Sequence, residues 1–245
     1  MDPISFFTVD ANLHKELSKT FAISLSSQNV SNTDWQFTRI NRQLTLQGVL
    51  DHQGFSLSFQ LESPQMAYRL VHGGGRKEPL LKALGLKPNE TATVVDATAG
   101  MGRESVLISH FGYRVIAIER QPIIHALLAD ALRRFDQTTD SAGKIELIYG
   151  DSIDVIEELK DTADVVYMDP MFPERDKSAA VKKEMRIFKK LAGADLDDAE
   201  LLNIALAKSQ KRVVVKRPIK ADFIGNISPS HQITSKKHRF DVYMV

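Results

Sequence analysis

The sequence predicts an α/β protein with a mostly parallel, doubly wound sheet and a smaller β-rich unit at its N-terminus. From about residue 91, short β-branched runs alternate with segments of helical periodicity, as expected when a chain winds a parallel sheet. Before about residue 62, apolar and polar residues instead alternate, as at Phe55–Leu61. Three consecutive glycines, Gly73–Gly75, interrupt regular structure between the two parts. We therefore predict a β-rich unit over residues 1–70 and a larger domain over residues 71–245.

The N-terminal unit is predicted to contain a short helix and a hairpin. Residues 13–22 can form the helix. The apolar pair within residues 44–46 precedes a turn at Asp51–Gly54, and the alternating segment Phe55–Leu61 follows it, which favours a β-hairpin. Trp35 is the only tryptophan of the chain, and we expect it in the core of this unit.

The larger domain is predicted to alternate strands with helices up to a closing hairpin. Strands are expected over Thr93–Asp96, Arg114–Glu119, Ile145–Tyr149, Asp164–Met168 and Arg212–Lys216. Helices are expected over Gly102–Phe111, Pro122–Phe135, Ile153–Leu159, Ser178–Leu191 and Asp197–Lys208. Pro122 suits a first helical position, where the backbone N–H has no partner inside the helix. The closing hairpin is expected from Gln232–Thr234 and Arg239–Val245.

The composition is that of a globular protein and excludes several classes of function. The chain has 245 residues, of which 43% are hydrophobic and 26% charged, so wholesale disorder and collagen-like repetition are excluded. It contains no cysteine, which excludes a cysteine nucleophile, a disulfide scaffold and a cysteine-ligated metal. No apolar run approaches the ~18 residues that span a bilayer, and residues 1–5 do not begin a signal peptide. We expect a soluble, cytoplasmic protein with no metal site, since no His, Asp and Glu stand at ligand spacing.

The net charge of +1 conceals an uneven distribution of charge along the chain. Residues 208–239 hold nine Lys or Arg and one acid, and residues 171–190 hold seven Lys or Arg and three acids. Residues 136–169 hold ten acids and two bases. Basic segments beside an acidic middle indicate a surface that faces a polyanion. Solvated helix faces would give the same counts, and charge alone does not decide between the two interpretations.

A glycine-containing turn between the first strand and the first helix of the larger domain is the most informative motif. The strand ends at Asp96, the turn contains Gly100 and Gly102, and a helix follows. Glycine lets the backbone approach a ligand closely, and the N-terminus of the helix favours a carboxylate or phosphate. A dinucleotide site would have a third glycine where Ser105 stands, and this departure lowers the expectation of NAD.

Acidic residues at the ends of the next two strands favour a cationic nucleoside at this site. Glu119 follows Asp96 by 23 residues, and an acid at this position accepts hydrogen bonds from ribose hydroxyls. Asp151 follows the third strand. Because ligands of open α/β sheets lie over the carboxyl ends of the strands, the three acids are expected to converge on one crevice. They fit S-adenosylmethionine, whose sulfonium is positive. Asp96 and Asp151 are also compatible with roles in a turn or a helix cap.

The segment Asp169-Pro-Met-Phe-Pro173 follows the fourth strand and can hold an exocyclic amine. The prolines keep its backbone extended. The Asp169 carboxylate and the Pro170 carbonyl can both accept a hydrogen bond from one NH2 group, and Phe172 offers a face on which a base can stack. The base must be unpaired or flipped out, and transfer of a methyl group would be an in-line displacement accelerated by positioning. The alternative is a rigid exit from the strand that packs Phe172 into the core.

The order and wording of these motifs resemble the ribosomal RNA small subunit methyltransferase J family, the 16S rRNA guanine-N2 methyltransferases. These are Rossmann-like class I enzymes that depend on S-adenosylmethionine. Residues 96–102 resemble motif I of that class, and residues 168–173 resemble its Asp/Asn-Pro-Pro-Tyr/Phe motif, with Met171 in place of the second proline. The remaining landmarks are Gly73–Lys77, Glu119–Arg120, Lys177–Arg186, Val213–Pro218 and His238–Asp241. The resemblance covers residues 70–245 and is weak over residues 1–62.

The resemblance implies methylation of the exocyclic N2 of guanosine 1516 in 16S rRNA. It places further contacts to S-adenosylmethionine at Arg103, Glu104, Glu119, Arg120, Asp151, Ser152 and Asp169. The family has Ser at the position of Asp151 and Asp at the position of Glu104. Both changes keep a hydrogen-bond acceptor, so we expect the cofactor to be the same.

Basic residues near the motifs are candidates for binding phosphates of 16S rRNA, free or in the small ribosomal subunit. They are Lys177, Lys182, Lys183, Arg186, Lys216 and Arg217. The last two end the fifth strand, next to the expected crevice, whereas the others could equally lie on a solvated helix. His72 and His238 are expected in packing or in RNA contact rather than as metal ligands. Nothing in the sequence indicates the oligomeric state.

Three other functions remain open from the motifs. An Asp-Pro-x-Phe segment also serves methyltransferases that act on DNA adenine, on other RNA amines or on a protein glutamine, and only the family resemblance favours rRNA guanine. A non-catalytic RNA-binding or assembly factor could keep the fold, although the intact Asp169, Glu119 and glycine turn argue against it. An NAD(P)-dependent oxidoreductase is disfavoured by Ser105 and by the segment that begins at Asp169.

Overall fold

The structure, a computed structural model, describes residues 6–21, 23–26, 35–135, 143–171, 183–192, 197–236 and 238–245. It divides into two compact units. The first comprises Met1–Gln60, Gln121–Phe135 and Arg175–Gly193, and the second comprises Leu61–Arg120, Asp136–Glu174 and Ala194–Val245. The first unit therefore joins three separate segments of the chain. The predicted boundary near residue 70 stays a prediction.

The helices and strands are numbered in chain order. The strands are β1 (Phe6–Phe7), β2 (Trp35–Ile40), β3 (Gln43–Leu50), β4 (Gln53–Leu57), β5 (Thr93–Asp96), β6 (Arg114–Glu119), β7 (Ile145–Tyr149), β8 (Ala163–Met168), β9 (Ser209–Pro218), β10 (His231–Thr234) and β11 (His238–Met244). The α-helices are α1 (Ala11–Thr20), α2 (Pro64–His72), α3 (Pro79–Leu84), α4 (Arg103–His110), α5 (Pro122–Arg134), α6 (Ser152–Glu158), α7 (Lys183–Ala192) and α8 (Asp198–Lys208).

The first unit contains a sheet in the order β1-β2-β3-β4, together with α1, α5 and α7. The predicted hairpin is confirmed as the antiparallel pair β3 and β4. The predicted N-terminal helix is confirmed as α1, which begins after Asp10, because the Asp10 carboxylate accepts hydrogen bonds from two backbone N–H groups of the first turn. Trp35 is buried, as expected. Its indole lies across Gly48, where a Cβ would stand 2.4 Å from the ring.

A buried carboxylate on α5 ties together three parts of the first unit. Asp130 is 6% exposed. Its oxygens accept hydrogen bonds from the backbone N–H of Leu44 at 2.9 Å, and from the guanidinium groups of Arg39, Arg133 and Arg134 at 2.8 to 3.0 Å. A buried charge is tolerated when it is paired and hydrogen-bonded in this way. The apolar periodicity that predicted α5 gave no indication that Asp130 is buried and paired.

The second unit is built on a sheet of seven strands in the order β10-β11-β9-β8-β5-β6-β7. The five strands from β9 to β7 are parallel, and β11 and β10 add an antiparallel hairpin. The predicted mostly parallel sheet and closing hairpin are therefore confirmed. The predicted bounds of β5, β6 and β7 agree with the structure, whereas β9 is longer at both ends than the expected Arg212–Lys216.

Apolar side chains on alternate positions of the parallel strands form the core of the second unit. Residues such as Val95, Val166 and Val215 pack with Ile156 of α6 and Leu202 of α8. Helices α3 and α4 also contact the strands but contribute nothing to this cluster. They cover the opposite face, because neighbouring residues of a strand point to opposite sides.

The guanidinium of Arg239 holds the antiparallel edge of this sheet. It is buried and forms a two-point ion pair with Asp241 at 2.8 and 3.0 Å. It also donates to the carbonyls of Pro218, Ile219 and Ala221 in the turn after β9. The segment His238–Asp241, which the sequence offered as a family landmark, therefore has a structural role.

Two helices and two strands escaped the sequence analysis, and the expected helix over Ser178–Leu191 lies partly outside the described residues. The unpredicted elements are α2, α3, β1 and β2. The helix expected over Ser178–Leu191 is described from Lys183 onward, as α7. Within the described part of the chain, no helix is long and apolar enough to cross a membrane.

Replacement of Asp130 by Ala is expected to lower the free energy of unfolding of the first unit by roughly 1–3 kcal/mol, because the buried Leu44 N–H loses its acceptor and Arg134 loses its ion pair with Asp130. Since Trp35 is the only tryptophan and lies in this unit, urea unfolding followed by its fluorescence reports the loss directly. Arg133→Ala is the control, because the Arg133 side chain is 63% exposed and its ion pair contributes about 0–1 kcal/mol. Equal stability of the two variants would contradict the structural role of Asp130.

Candidate active site

Four parallel strands of the second unit end at one edge of the sheet. In β5, Asp96 is level with Ala117 of β6 and Tyr167 of β8. In β8, Met168 is level with Val215 of β9. The residues that follow the strands, Asp169 among them, therefore meet at this edge, as the sequence predicted.

The backbone between β5 and α4 is fixed by the neighbouring strands. Ala97 N–H donates to the Tyr167 carbonyl at 2.9 Å, and Ala99 N–H donates to the Ile118 carbonyl at 3.0 Å. Gly100 and Gly102 have φ angles of 52° and 73°, which side chains other than glycine rarely adopt. The Gly100 N–H donates to Glu119 Oε2 at 3.1 Å. The Glu119 carboxylate at the end of β6 thus fixes the position of the glycine turn at the carboxyl ends of the strands.

Asp96 is buried beneath this turn. Its Oδ2 accepts a hydrogen bond from the Ser105 hydroxyl at 2.5 Å, and its Oδ1 accepts from Thr98 N–H at 3.2 Å. Burial raises the pKa of Asp96 to about 7, and the two hydrogen bonds oppose that rise. Ser105, which stands where a dinucleotide site would have a third glycine, braces the turn through Asp96.

Asp151, Ser152 and Arg120 form a second group at the ends of β6 and β7. Asp151 is the N-cap of α6 and accepts from the Ile153 N–H at 2.9 Å. The Ser152 hydroxyl donates to the Ala97 carbonyl at 2.5 Å, which joins this group to the glycine turn. Arg120 pairs with Asp197 at 2.7 Å and reaches Asp151 at 3.6 Å. The capping role that the sequence left open for Asp151 is therefore present in the structure.

Asp169 follows β8 and is held from two sides. Its backbone N–H donates to the Thr98 hydroxyl at 2.6 Å. Its Oδ2 accepts from Lys216 Nζ at 2.6 Å, because β8 and β9 run parallel in neighbouring register. Burial raises the pKa of the Asp169 carboxyl, and the positive charge of Lys216 opposes the rise. Lys216 therefore favours the ionised carboxylate at the edge of the sheet.

A chain of charges continues from Lys216 to helix α2. Lys216 Nζ lies 3.8 Å from Glu104 Oε1, and Glu104 lies 3.5 Å from the guanidinium of Arg69. Arg69 also donates to Glu78 at 2.5 and 3.0 Å. These partly buried charges alternate in sign, so each charge has an opposite neighbour.

The structure places the other predicted site residues in different surroundings. Pro170 is buried and Arg103 is exposed at the start of α4. Arg217 is 5% exposed, donates to the Asp222 carbonyl and lies 3.7 Å from Asp198, an arrangement that favours packing over contact with phosphate. Arg186 lies on α7 in the first unit, where it pairs with Asp51. Phe172, Lys177, Lys182 and the side chain of Lys183 lie outside the described residues.

Sequence reasoning missed Arg69 and Thr98 at this site. Arg69 belongs to α2, which was not predicted, although Ser63 as N-cap and Pro64 as first helical residue are signals of a helix start. Thr98 stands inside the glycine motif and could have been suspected, since a hydroxyl there can reach the next parallel strand. The role first considered for Lys216 was contact with RNA, but the structure places it on Asp169.

The residues at this edge fit S-adenosylmethionine. The carboxylates at the ends of β6 and β8, Glu119 and Asp169, can accept hydrogen bonds from an amine and from ribose hydroxyls, and their negative charge suits a sulfonium. The positive φ angles of Gly100 and Gly102 favour glycine, and the absence of a side chain at these two positions lets a nucleoside approach the backbone closely. Among the described residues, no group of three or more His, Cys, Asp and Glu could hold a metal ion.

Comparisons with known proteins agree with this fit. The family model described as "Putative SAM-dependent methyltransferase" matches residues 17–245. The ribosomal RNA small subunit methyltransferase J of Shewanella amazonensis is 48% identical over 186 residues, which are 74% of this chain and 75% of that protein. The protein of the same name from Alteromonas mediterranea is 46% identical over 206 residues, 83% of this chain and 80% of that protein.

A solved structure is similar over almost the whole chain. The SAM-dependent methyltransferase from Neisseria gonorrhoeae superposes with a TM-score of 0.74 and 30% sequence identity, covering 98% of this chain and 95% of that chain. The sheet order, the glycine turn and the family model together define a class I SAM-dependent methyltransferase. Within that class, the chain belongs to the ribosomal RNA small subunit methyltransferase J family.

Replacement of Asp96 by Asn is expected to change how stability depends on pH. The pKa of Asp96 is about 7 in the folded chain, against an ordinary value of 3.8 for an aspartate in water. The folded state therefore keeps this proton to higher pH. The stability that Asp96 contributes is therefore fully present below about pH 4 and is lost as the pH rises towards 7. Over this interval, the free energy of unfolding of the wild type should fall relative to that of Asp96→Asn. Urea unfolding of both proteins at several pH values, followed by circular dichroism, measures the difference, and a difference independent of pH would contradict the account.

Proposed function

We propose that this chain transfers the methyl group of S-adenosylmethionine to the exocyclic N2 of guanosine 1516 in 16S rRNA. The observation that carries the proposal is the placement of Asp169 beside the glycine turn, held by Thr98 and Lys216. Membership of the family supplies the substrate, because the relatives are named as methyltransferases of small-subunit ribosomal RNA.

The proposed cofactor site uses the residues around the glycine turn. Glu119 accepts hydrogen bonds from the ribose hydroxyls while it holds Gly100 N–H. Asp151 and Ser152 border the base, and Arg103 and Glu104 begin the helix that follows the turn. Arg120 fixes Asp151, and Asp96 supports the turn from beneath. Bound S-adenosylmethionine supplies a methyl carbon made electrophilic by its sulfonium.

The proposed catalytic step depends on positioning by Asp169. Its carboxylate and the Pro170 carbonyl accept hydrogen bonds from the guanine amine and point the nitrogen lone pair at the methyl carbon. Lys216 keeps this carboxylate ionised and therefore able to accept. The new N–C bond would form as the C–S bond of the sulfonium breaks, with S-adenosylhomocysteine as the leaving group. An aromatic amine is weakly basic, so its proton need not leave before attack, and the methylated nitrogen would then lose it to water. Most of the acceleration then comes from orientation and proximity, and Phe172 is the proposed stacking partner of the base.

The substrate is proposed to be the rRNA or the small ribosomal subunit, and the place of action the cytoplasm. The guanine must be unpaired to reach Asp169, and unpairing costs least where the base is already exposed. Of the basic residues proposed to contact phosphates, Lys177, Lys182 and Lys183 keep that proposed role. Arg186 is paired with Asp51 within the first unit and is no longer proposed as a phosphate contact. Lys216 and Arg217 are assigned to the site and to packing instead, because both are partnered within the second unit.

The experiment that tests the proposed function supplies the purified chain with labelled S-adenosylmethionine and with small subunits from cells that lack this activity. Naked rRNA, duplex DNA and total protein are assayed alongside, and the labelled product is identified by mass spectrometry. We expect N2-methylguanosine in small-subunit rRNA. Label in DNA or in protein would overturn the rRNA assignment, and cofactor binding without any transfer would favour a non-catalytic assembly factor.

Two substitutions separate binding of the cofactor from transfer of the methyl group. Asp169→Ala is expected to abolish transfer and to leave the dissociation constant for S-adenosylmethionine nearly unchanged, because Asp169 acts on the amine. Glu119→Ala is expected to weaken cofactor binding about 10- to 100-fold, since it removes hydrogen bonds to a charged acceptor. Calorimetry measures binding and single-turnover assays measure transfer. Equal loss of both properties in Asp169→Ala would refute its assigned role.

A further inference from the structure

Helix α2 presents an unusual outer face. Met66 is its only buried residue, whereas the side chains of Tyr68 and Val71 are 67% and 68% exposed. Tyr68 and His72 lie one helical turn apart, and their rings are 5.0 Å apart at an angle of 46°. We call Tyr68, Val71 and His72 the α2 face. An exposed tyrosine, valine and histidine in one place indicate a surface that contacts another molecule.

The charge around the α2 face is positive. From Ser63 to Lys77 the chain contains no Asp or Glu, and it contains Arg69, Arg76 and Lys77. Lys77 is exposed, whereas Arg76 donates to the Tyr113 hydroxyl at 2.7 Å. Glu62 and Glu78 flank this range, and Glu78 pairs with Arg69. Aromatic rings beside an exposed lysine are typical of surfaces that bind single-stranded nucleic acid, on which bases stack and phosphates pair with lysine.

The opposite side of the same helix is anchored in the candidate active site. Arg69 pairs with Glu104, and Glu104 lies beside Lys216, which holds Asp169. The Tyr68 and Arg69 positions are adjacent in the chain, so the α2 face is separated from the chain of charges at the site by the width of one helix. A polymer that placed one nucleotide at Asp169 would have its neighbouring nucleotides within reach of the α2 face.

We propose that the α2 face and Lys77 bind the single-stranded nucleotides that flank the target guanosine. One flanking base stacks on the rings of Tyr68 and His72, Val71 packs against its sugar, and Lys77 pairs with a phosphate. This inference rests on the proposed function and adds to it a surface that selects unpaired RNA. The chemistry favours RNA over a protein partner, because the patch is small and combines two stacked aromatic rings with the exposed Lys77.

The test measures RNA binding and methyl transfer separately in the full chain. The probe is a short fluorescein-labelled single-stranded RNA that contains guanosine 1516 and its flanking nucleotides, and anisotropy gives its dissociation constant. Tyr68→Ala is expected to weaken binding about 5- to 100-fold, the loss of one stacked base. Tyr68→Phe keeps the ring and should bind like the wild type. Both variants should bind S-adenosylmethionine normally, which shows that they are folded.

The charge contribution has its own control. Lys77→Ala is expected to reduce the slope of log affinity against log salt concentration by about 0.7, the value for one phosphate contact on a single strand. Lys160→Ala is the matched control, because Lys160 is exposed and precedes β8 at the opposite edge of the sheet. It should leave the slope unchanged.

Outcomes against the α2 face are distinguishable from outcomes against the proposed function. If the wild type methylates small subunits while Tyr68→Ala binds the RNA probe like the wild type, the assignment of RNA binding to the α2 face is wrong. The proposed function is then unaffected. If Tyr68→Ala binds the probe normally but loses transfer to assembled subunits, the face contacts a ribosomal protein and the RNA assignment is overturned. If the wild type transfers no methyl group to rRNA, the proposed function and the inference that rests on it both fail.

Discussion

The register of the parallel strands is the constraint on which the candidate site depends. Because β5, β8 and β9 run parallel in a fixed register, the Asp96, Asp169 and Lys216 positions are brought to one edge of the sheet. Two hydrogen bonds then link the segments that follow the strands, from Asp169 N–H to Thr98 and from Ser152 to the Ala97 carbonyl. A shift of one residue in any of these strands would turn the side chains to the opposite face and separate the carboxylate from the lysine.

Burial of several carboxylates at one edge is unfavourable, and the structure offsets it with specific partners. Asp96 is buried with hydrogen-bond donors and, among the described residues, without a paired cation, so burial raises its pKa to about 7. Asp169 has Lys216, whose charge opposes the rise in its pKa. Lys216 lies between Asp169 and Glu104, so the lysine is attracted from both sides. Glu104 in turn lies between Lys216 and Arg69. The different partners of Asp96 and Asp169 suit their roles, because Asp96 supports the backbone whereas Asp169 is proposed to accept hydrogen bonds from the substrate.

Most of the sheet and the glycine turn could be predicted from sequence, because β5 to β9 are buried runs with strong local patterns. Helix α2 was missed, although Ser63 and Pro64 mark its start, because it has only nine residues and is followed directly by the glycines 73–75, which indicate a break in regular structure. The roles proposed for Lys216 and Arg217 could have been separated, because neighbouring residues of a strand face opposite sides and cannot both line one crevice. The joining of α5 and α7 with the N-terminal sheet in one unit depends on contacts between distant segments, for which the sequence carries no local signal.

The central claim is that Lys216 keeps the Asp169 carboxylate ionised to receive the amine. Besides Lys216 on β9, the charged groups that act on this carboxyl include Glu104 on α4, which raises its pKa, as burial does. The most direct measurement is the single-turnover rate of methyl transfer by Lys216→Met between about pH 6 and 9. The account predicts a rate that is reduced at neutral pH and recovers as the pH rises, since loss of the lysine raises the pKa of Asp169 further. A rate that varies with pH in the same way as that of the wild type would contradict it.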